Sequence, residues 1–274
     1  MEFEIGEERY KALIDTGSSF SFLRKDVLEK IQNKKLYSHS EMMSYKGDRY
    51  LTVDFQVPQI KIGNLFTESV ITEEIPDFWK NGSTLGYQAY LLYFKLWLLH
   101  EVYREGLIGR NVLEKYTCIF DFPHAHMFLA EKPLSLEQAE SLLTMGFASL
   151  PFEMTNAGPV FTFQTDFGDK KFILDTGATH SIVRLSEDEK KYFGRKRKIS
   201  TGKLMGNGIN FGKHTFLIID MAAEQARIDG IVGLDFFKQN TICFDYEHKI
   251  AYIQTPKLGS KERFNYWWKS WMGR

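Results

Sequence analysis

Apolar side chains along this chain come in short runs. Stretches of four to eight residues rich in aromatic and β-branched side chains are separated by Gly and Asp, a pattern that predicts strands joined by tight turns. Two segments have the shape of hairpins: "MMSYKGDRYLTV" (42–53), with Lys46, Gly47 and Asp48 at its tip, and "KLMGNGINF" (203–211), in which Gly206, Asn207 and Gly208 supply positive φ. The periodicity changes at "KPLSLEQAESLLTMGFASL" (132–150). There Ser135 and Gln138 have capping-box spacing and Gly146 follows the last periodic apolar residue, which predicts a short connecting helix. "LGYQAYLLYFKLWLL" (85–99) is apolar on every face, as a buried or partner-covered helix is. It contains Lys95 and is too short to span a bilayer unaided.

The runs repeat in order. "KALIDTGSSFSFLR" (11–24) aligns with "KFILDTGATHSIVR" (171–184), so that Asp15, Thr16, Gly17, Ser21 and Arg24 recur as Asp175, Thr176, Gly177, Ser181 and Arg184. Further on, "GLIGRNVLEKYTCIFDF" (106–122) aligns with "GIVGLDFFKQNTICFDY" (230–246), matching Gly106 to Gly230, Gly109 to Gly233 and Asp121 to Asp245. A weaker pair is "KIGNLFTESVI" (61–71) with "NFGKHTFLIID" (210–220). A lone Asp-Thr-Gly is a weak motif, but two of them, each followed by the same distant Gly block, imply a duplicated lobe. The expected organisation is lobe 1 at 1–131 with an insertion at 73–104, a connecting helix at 132–150, lobe 2 at 151–256 and an aromatic-rich tail at 257–274. The first half of "PFEMTNAGPVFTFQTDF" (151–167) has no counterpart in lobe 1, so either the N-terminus is truncated or a strand comes from elsewhere.

Composition narrows the function. The chain of 274 residues is 43% hydrophobic and 26% charged with a net charge of zero, an ordinary globular balance that gives no reason to expect nucleic acid as a partner. Two cysteines, Cys118 and Cys243, exclude a disulfide framework. Met1 is followed by acidic residues, so no secretory signal is visible; this reads as cytoplasmic on its face, with an exported domain lacking its leader as the alternative. "HAH" (124–126) lacks a third ligand at motif spacing and reads as a loop, and "RKRK" (195–198) reads as solvated because Glu187, Asp188 and Glu189 dilute it. Ser18, Ser19 and the seven histidines form no Ser-His-Asp pattern. Residues 85–99 and the tail, with Trp267, Trp268 and Trp271, are the candidate surfaces for partner or membrane contact. An Asp ending a strand is usually turn chemistry, and Asp121 and Asp245 read so.

For Asp15 and Asp175 the repeat argues otherwise. An apolar run, Asp-Thr-Gly and a later apolar-apolar-Gly block in each half resemble the pepsin and retropepsin aspartic protease family, most specifically at 12–24, 106–113, 171–184 and 230–237. The resemblance implies a mainly β fold of two pseudo-symmetric acid-protease-type β-barrel lobes with a cleft between them, here with an α-helical insertion in lobe 1. It implies that Asp15 and Asp175 form a catalytic dyad that shares a proton and activates water, as the family does, with no metal and no cofactor. Thr16 and Thr176 would interlock the two loops, Gly17 and Gly177 would allow close approach, and Gly109 and Gly233 would pack behind. Ser18 can donate to its neighbouring carboxylate and Ala178 cannot, so Asp175 is expected to be the more readily protonated. The family's substrate flap would map onto Tyr45, or alternatively Tyr50, with Gly47; Gly206, Asn207 and Gly208 form the equivalent hairpin in lobe 2.

The activity implied is that of a monomeric aspartic endopeptidase acting on an extended polypeptide. The alternative is a non-catalytic peptide-binding or scaffold protein retaining the fold. A glycoside hydrolase could use two carboxylates but would not require the repeated Gly blocks.

Overall fold

The computed structural model of the chain describes residues 1–43, 49–73, 105–131, 133–219 and 228–255. The expected helical insertion beyond Glu73, the hairpin tip with Tyr45 and Gly47, and the aromatic tail lie outside the described residues. What is described is mainly β, and it includes two barrels joined by a central sheet.

The first barrel is built from β1 (Glu2–Ile5), β2 (Glu8–Ile14), β3 (Ser21–Leu23), β4 (Lys35–Met43), β5 (Arg49–Ile62), β6 (Leu65–Glu73) and β7 (Gly106–Ile108). Hydrogen bonding runs β1-β2-β7-β3-β6-β5 and returns to β1, closing six strands, while β4 hangs on the outer part of β5. Closure leaves no edge among those six and buries alternate side chains such as Phe3, Ile5, Tyr10 and Ala12. Pro58 sits inside β5 at the register shift between Val57 and Ile60, where a ladder hydrogen bond is already lost.

Across the middle lie β8 (Thr117–Asp121), β9 (His126–Ala130), β10 (Ala148–Pro151), β20 (Thr241–Asp245) and β21 (Ile250–Gln254), in the order β10-β21-β20-β8-β9. Every residue of β8 and of β20 is buried. The two strands pair antiparallel with Ile119 opposite Cys243, so equivalent blocks of the sequence meet side by side. Burial pushes both thiols, Cys118 and Cys243, above their ordinary pKa. Phe120 packs edge-on against Phe244 at 5.8 Å and Phe237 at 6.1 Å, and one apolar core runs from the first barrel through this sheet into the second.

The second barrel comprises β11 (Glu153–Thr155), β12 (Gly158–Thr165), β13 (Gly168–Leu174), β14 (Ile182–Val183), β15 (Lys198–Thr201), β16 (Met205–Gly206), β17 (Ile209–Asn210), β18 (His214–Ile218) and β19 (Gly230–Val232). Its pairings repeat those of the first. Parallel β2 and β7 match Ala12 to Gly106, and parallel β13 and β19 match Phe172 to Gly230. Asp54 pairs with Thr72 as Lys198 pairs with Leu217, and Lys61 pairs with Glu4 as Met205 pairs with Gln164.

These registers correct two expectations. Strands β15 and β16 together take the place of β5, and the turn Asn207-Gly208, with φ of 48° and 78°, takes the place of Gly63-Asn64. The hairpin bearing Gly206, Asn207 and Gly208 is therefore not the counterpart of β4–β5, and β4 has none among the described strands. Its tip is held elsewhere: Asn207 Nδ2 donates to the Ser149 carbonyl on β10 at 2.9 Å. The weak repeat aligned Gly63 with Gly212, whereas the ladders superpose Ile71 on Phe216, a register four residues away, because the turn that matches Gly63-Asn64 is Asn207-Gly208 and Gly212 belongs to the segment between β17 and β18.

Between the barrels the helix Leu136–Thr144 starts at a full capping box, in which Ser135 accepts from the Gln138 N–H at 3.2 Å and Gln138 accepts from the Ser135 N–H at 2.8 Å. Its fully buried Leu142 packs with Phe147, Ile119 and Tyr252. Replacing Ser135 by Ala removes the cap's acceptor and is expected to lower the unfolding free energy by ~1 kcal/mol, read from urea melts; an unchanged midpoint would contradict this role.

Candidate active site

Each barrel brings one apolar strand to an end on an aspartate. The Asp15 N–H continues the β2–β7 ladder by donating to the Ile108 carbonyl at 3.0 Å, and the Asp175 N–H donates to the Val232 carbonyl at 2.9 Å. The chain then turns back under its own carboxylate. Asp15 Oδ1 accepts from the N–H groups of Gly17 and Ser18, both at 2.9 Å, and Asp175 Oδ1 accepts from the Gly177 N–H at 2.7 Å. Both aspartates thus show the ordinary turn chemistry of the residue, with their carboxyl groups facing one another in addition.

The facing is enforced by the next residue. Thr16 Oγ1 donates to the Leu174 carbonyl at 2.8 Å and accepts from the Thr176 N–H at 3.0 Å; Thr176 Oγ1 donates to the Ile14 carbonyl at 2.7 Å and accepts from the Thr16 N–H at 3.1 Å. Both threonines are buried, so these four bonds are sheltered from competing water. Gly17 and Gly177 follow at the tightest point. A Cβ on Gly17 would lie 2.6 Å from Asp175 Oδ2, and one on Gly177 would lie 2.5 Å from Asp15 Cγ, so each loop reserves the space beside its own aspartate for the carboxyl group of the other.

The Asp175 carboxyl lies against the loop of Asp15, and its pKa is raised well above the ordinary carboxylate value. Burial is the largest cause, followed by the negative charge and the hydrogen bond of Asp15; the N–H groups of Gly177 and Ala178 act in the opposite direction. The direction agrees with expectation but the reason differs. The Ser18 hydroxyl is turned away and donates to the Phe20 carbonyl at 2.8 Å, so it is the backbone of Ser18 that serves Asp15.

Behind the loops, a serine in each barrel ties the Asp-Thr-Gly turn to the later Gly block. Ser21 Oγ accepts from the Gly109 N–H at 2.9 Å and donates to Asn111 Oδ1 at 2.7 Å. Ser181 Oγ accepts from the Gly233 N–H at 2.9 Å, donates to Asp235 Oδ1 at 2.6 Å and meets His214 Nε2 at 2.7 Å. Ser181, His214 and Asp235 were missed in the sequence, where their separation hides them. They are not a hydrolytic triad: Ser181 is fully buried and the carboxylate binds the serine instead of orienting the imidazole. Burial lowers the pKa of His214, against the pull of Asp235.

Arg110 was also missed. Its guanidinium is 6% exposed and reaches across the barrels, donating from Nη2 to Ser19 Oγ at 2.6 Å and to the Asn156 carbonyl at 3.2 Å, while Nε has no hydrogen-bond partner. The signal was an arginine inside an otherwise apolar block, where the second copy has Leu234. Asp121 and Asp245, by contrast, do remain apart from the pair. Asp121 binds His124 Nδ1 and Thr241 Oγ1, and Asp245 binds the N–H and Nδ1 of His248.

Residues 1–112 match the aspartyl protease family. The match takes in the first barrel from β1 to Val112, including Asp15, Thr16, Gly17 and Gly109, and the second barrel lies outside it. The match supports a protease-type reading of this stretch, and the mainly β architecture is consistent with the pepsin and retropepsin fold. No curated protein matches the chain.

The raised pKa of Asp175 has a consequence for stability. Folded Asp175 keeps a proton that the unfolded chain releases as pH rises past the ordinary carboxylate value of 3.8. Its contribution is therefore complete below that pH and is lost as pH rises toward the folded pKa. Asp175→Asn is neutral at every pH, so its thermal midpoint at pH 7 is expected to exceed that of the wild type, with the difference closing toward pH 3. A midpoint at pH 7 equal to or below the wild-type value would refute this.

Proposed function

We propose that this protein is an aspartic endopeptidase that hydrolyses peptide bonds of an extended polypeptide, with Asp15 and Asp175 as its catalytic dyad. The observation that carries the reading is the facing of two carboxyl groups contributed by different barrels, each set in the space beside the glycine of the opposite loop, with the proton affinity of Asp175 raised. Such a pair holds one proton between two oxygen acids and supplies a base and an acid at one point.

In the mechanism, the ionised carboxylate takes a proton from a water molecule as that water attacks the scissile carbonyl. The protonated carboxyl donates to the developing oxyanion, and a proton then passes to the amine as the C–N bond breaks. Because Asp175 is the group whose proton is favoured by its surroundings, Asp175 is assigned as the acid and Asp15 as the base. Thr16, Thr176, Gly17 and Gly177 act as positioning residues, and so do Ser18 and Ala178 through their N–H groups. The matching registers of the barrels favour an origin by internal duplication, with both halves of the site in one chain and a monomer sufficient. The chemistry calls for no metal and no other cofactor, and the substrate is a polypeptide. The strands β4 and β5 lead toward 44–48, where a covering flap with Tyr45 and Gly47 belongs on this reading.

Cleavage of an unstructured protein mixture between pH 3 and 8 tests the proposal. The expected profile is bell-shaped, with the alkaline limb falling as the shared proton is lost. Asp15→Asn is expected to reduce kcat by roughly 10²–10⁴-fold while leaving the fold intact by circular dichroism. Absence of cleavage by the wild type at every pH, or cleavage that survives the substitution, would sink the reading, and peptide binding without cleavage would point to a scaffold role.

A further inference from the structure

Beside the loop that carries Asp15, the first barrel holds a second buried carboxylate that the dyad does not use. Asp54, on β5, is 2% exposed and accepts three hydroxyl donors: Ser38 at 2.7 Å, Ser40, and Thr72 at 2.9 Å. No cation among the described residues pairs with it. It lies in the wall of a cleft of about 540 Å³ between β4, β5 and the loop after Asp15, with Phe20 and Tyr37 as aromatic walls. Phe20 joins this cleft to the proposed active site, since its carbonyl accepts the Ser18 hydroxyl.

The charge of Asp54 is not required by the barrel. At the equivalent place in the second barrel stands Lys198, which is exposed. Nor is the charge neutralised by the lysine in the same wall. The Lys115 ammonium is committed to the Glu68 carbonyl and to Thr67 Oγ1 at 3.1 Å, and the charges that act on it are those of Glu68 and Glu114. Burying a carboxylate without a counter-ion is costly, and three neutral donors offset only part of that cost. Because Ser38 and Ser40 spend their protons on Asp54, their oxygen lone pairs are left for another donor. Hydroxyl oxygens backed by a carboxylate, flanked by a tyrosine and a phenylalanine ring, make a receptor for a cation on an aliphatic stem.

We infer that this cleft binds a lysine or arginine side chain of the polypeptide substrate, and that Asp54 determines a preference for basic residues near the cleaved bond. The inference builds on the endopeptidase reading, with the cleft acting as a subsite on the hairpin side of the dyad. Glu68, exposed at the rim, adds negative charge along the approach.

The test uses the full chain and peptides that differ at one position, carrying Ala, Lys or Glu in turn at each of the four residues on either side of the cleaved bond. At one position Lys is expected to raise kcat/KM at least tenfold over Ala, and Glu to lower it. Asp54→Asn should bring the Lys-to-Ala ratio close to one. Gln56→Lys, a change at an exposed residue of the same wall, places a competing ammonium in the cleft and should do the same should the first variant fold poorly. A ratio near one in the wild type, or one that survives both substitutions, overturns the inference while cleavage itself stands. Binding of the same peptides to Asp15→Asn, followed by fluorescence anisotropy, separates the two readings. If the wild type cleaves nothing but Lys peptides bind more tightly in an Asp54-dependent way, the endopeptidase reading fails and the basic subsite stands; if neither cleavage nor preference is found, both fail.

Discussion

The Thr16 hydroxyl donates to the Leu174 carbonyl while accepting from the Thr176 N–H, and the Thr176 hydroxyl does the reverse toward Ile14 and Thr16. Four bonds made by two hydroxyls, two between the threonines and two to the Leu174 and Ile14 carbonyls, set the distance between the barrels at the one place where it has to be small. Two carboxyl groups brought together at low dielectric repel each other unless they share a proton, so a clamp must hold them before the proton can. A hydroxyl is the smallest group that can donate and accept at once, and the threonine methyl fills the remaining space in a fully buried site. Ala at either position would leave an N–H and a carbonyl of the opposite barrel buried without partners, at ~1–3 kcal/mol for each group. The glycines complete the constraint, since any side chain on Gly17 or Gly177 would occupy the volume of the opposing carboxyl group.

Around that shared centre the barrels diverge. In the first, β5 runs without a break over Arg49–Ile62 and carries β4 along its outer half; in the second, the same span is divided between β15 and β16 and no strand among the described residues takes the place of β4. The divergence extends to the supporting residues. Asn111 receives the Ser21 hydroxyl where Asp235, with His214 behind it, receives that of Ser181, and Arg110 bridges the barrels where Leu234 stands in the second copy. The registers that carry the aspartates are kept, and the changes fall on the outer strands and on the residues behind the loops.

Much of this was legible because it is local or repeated. Asp-Thr-Gly beside a second Asp-Thr-Gly at the same distance from Ser and Arg marks two loops of one kind, and the Ser135–Gln138 spacing marks a helix start that needs nothing beyond four residues. What could not be read depends on tertiary choice. The Ser18 hydroxyl had two possible acceptors, its own loop's carboxylate and the Phe20 carbonyl, and only packing decides between them. The Asn207-Gly208 turn was recognisable as a hairpin, but its equivalence to Gly63-Asn64 is a property of the ladders that β16 makes with β12 and β15 makes with β18, which no local spacing reveals. His214 lies 33 residues from Ser181, and no spacing rule links the two.

The buried aspartates differ in what surrounds the same carboxylate. Asp121 and Asp245 face histidines, which can carry the opposite charge. Asp54 faces three hydroxyls, which stabilise an anion without neutralising it, and so it presents a site for an external cation. Asp175 faces another carboxylate, the one neighbour that penalises ionisation, and burial adds to the penalty. The Ser18 hydroxyl, a side-chain difference beside the two carboxyls, is directed at the Phe20 carbonyl, so the raised proton affinity of Asp175 follows from its burial and its facing carboxylate and not from that serine.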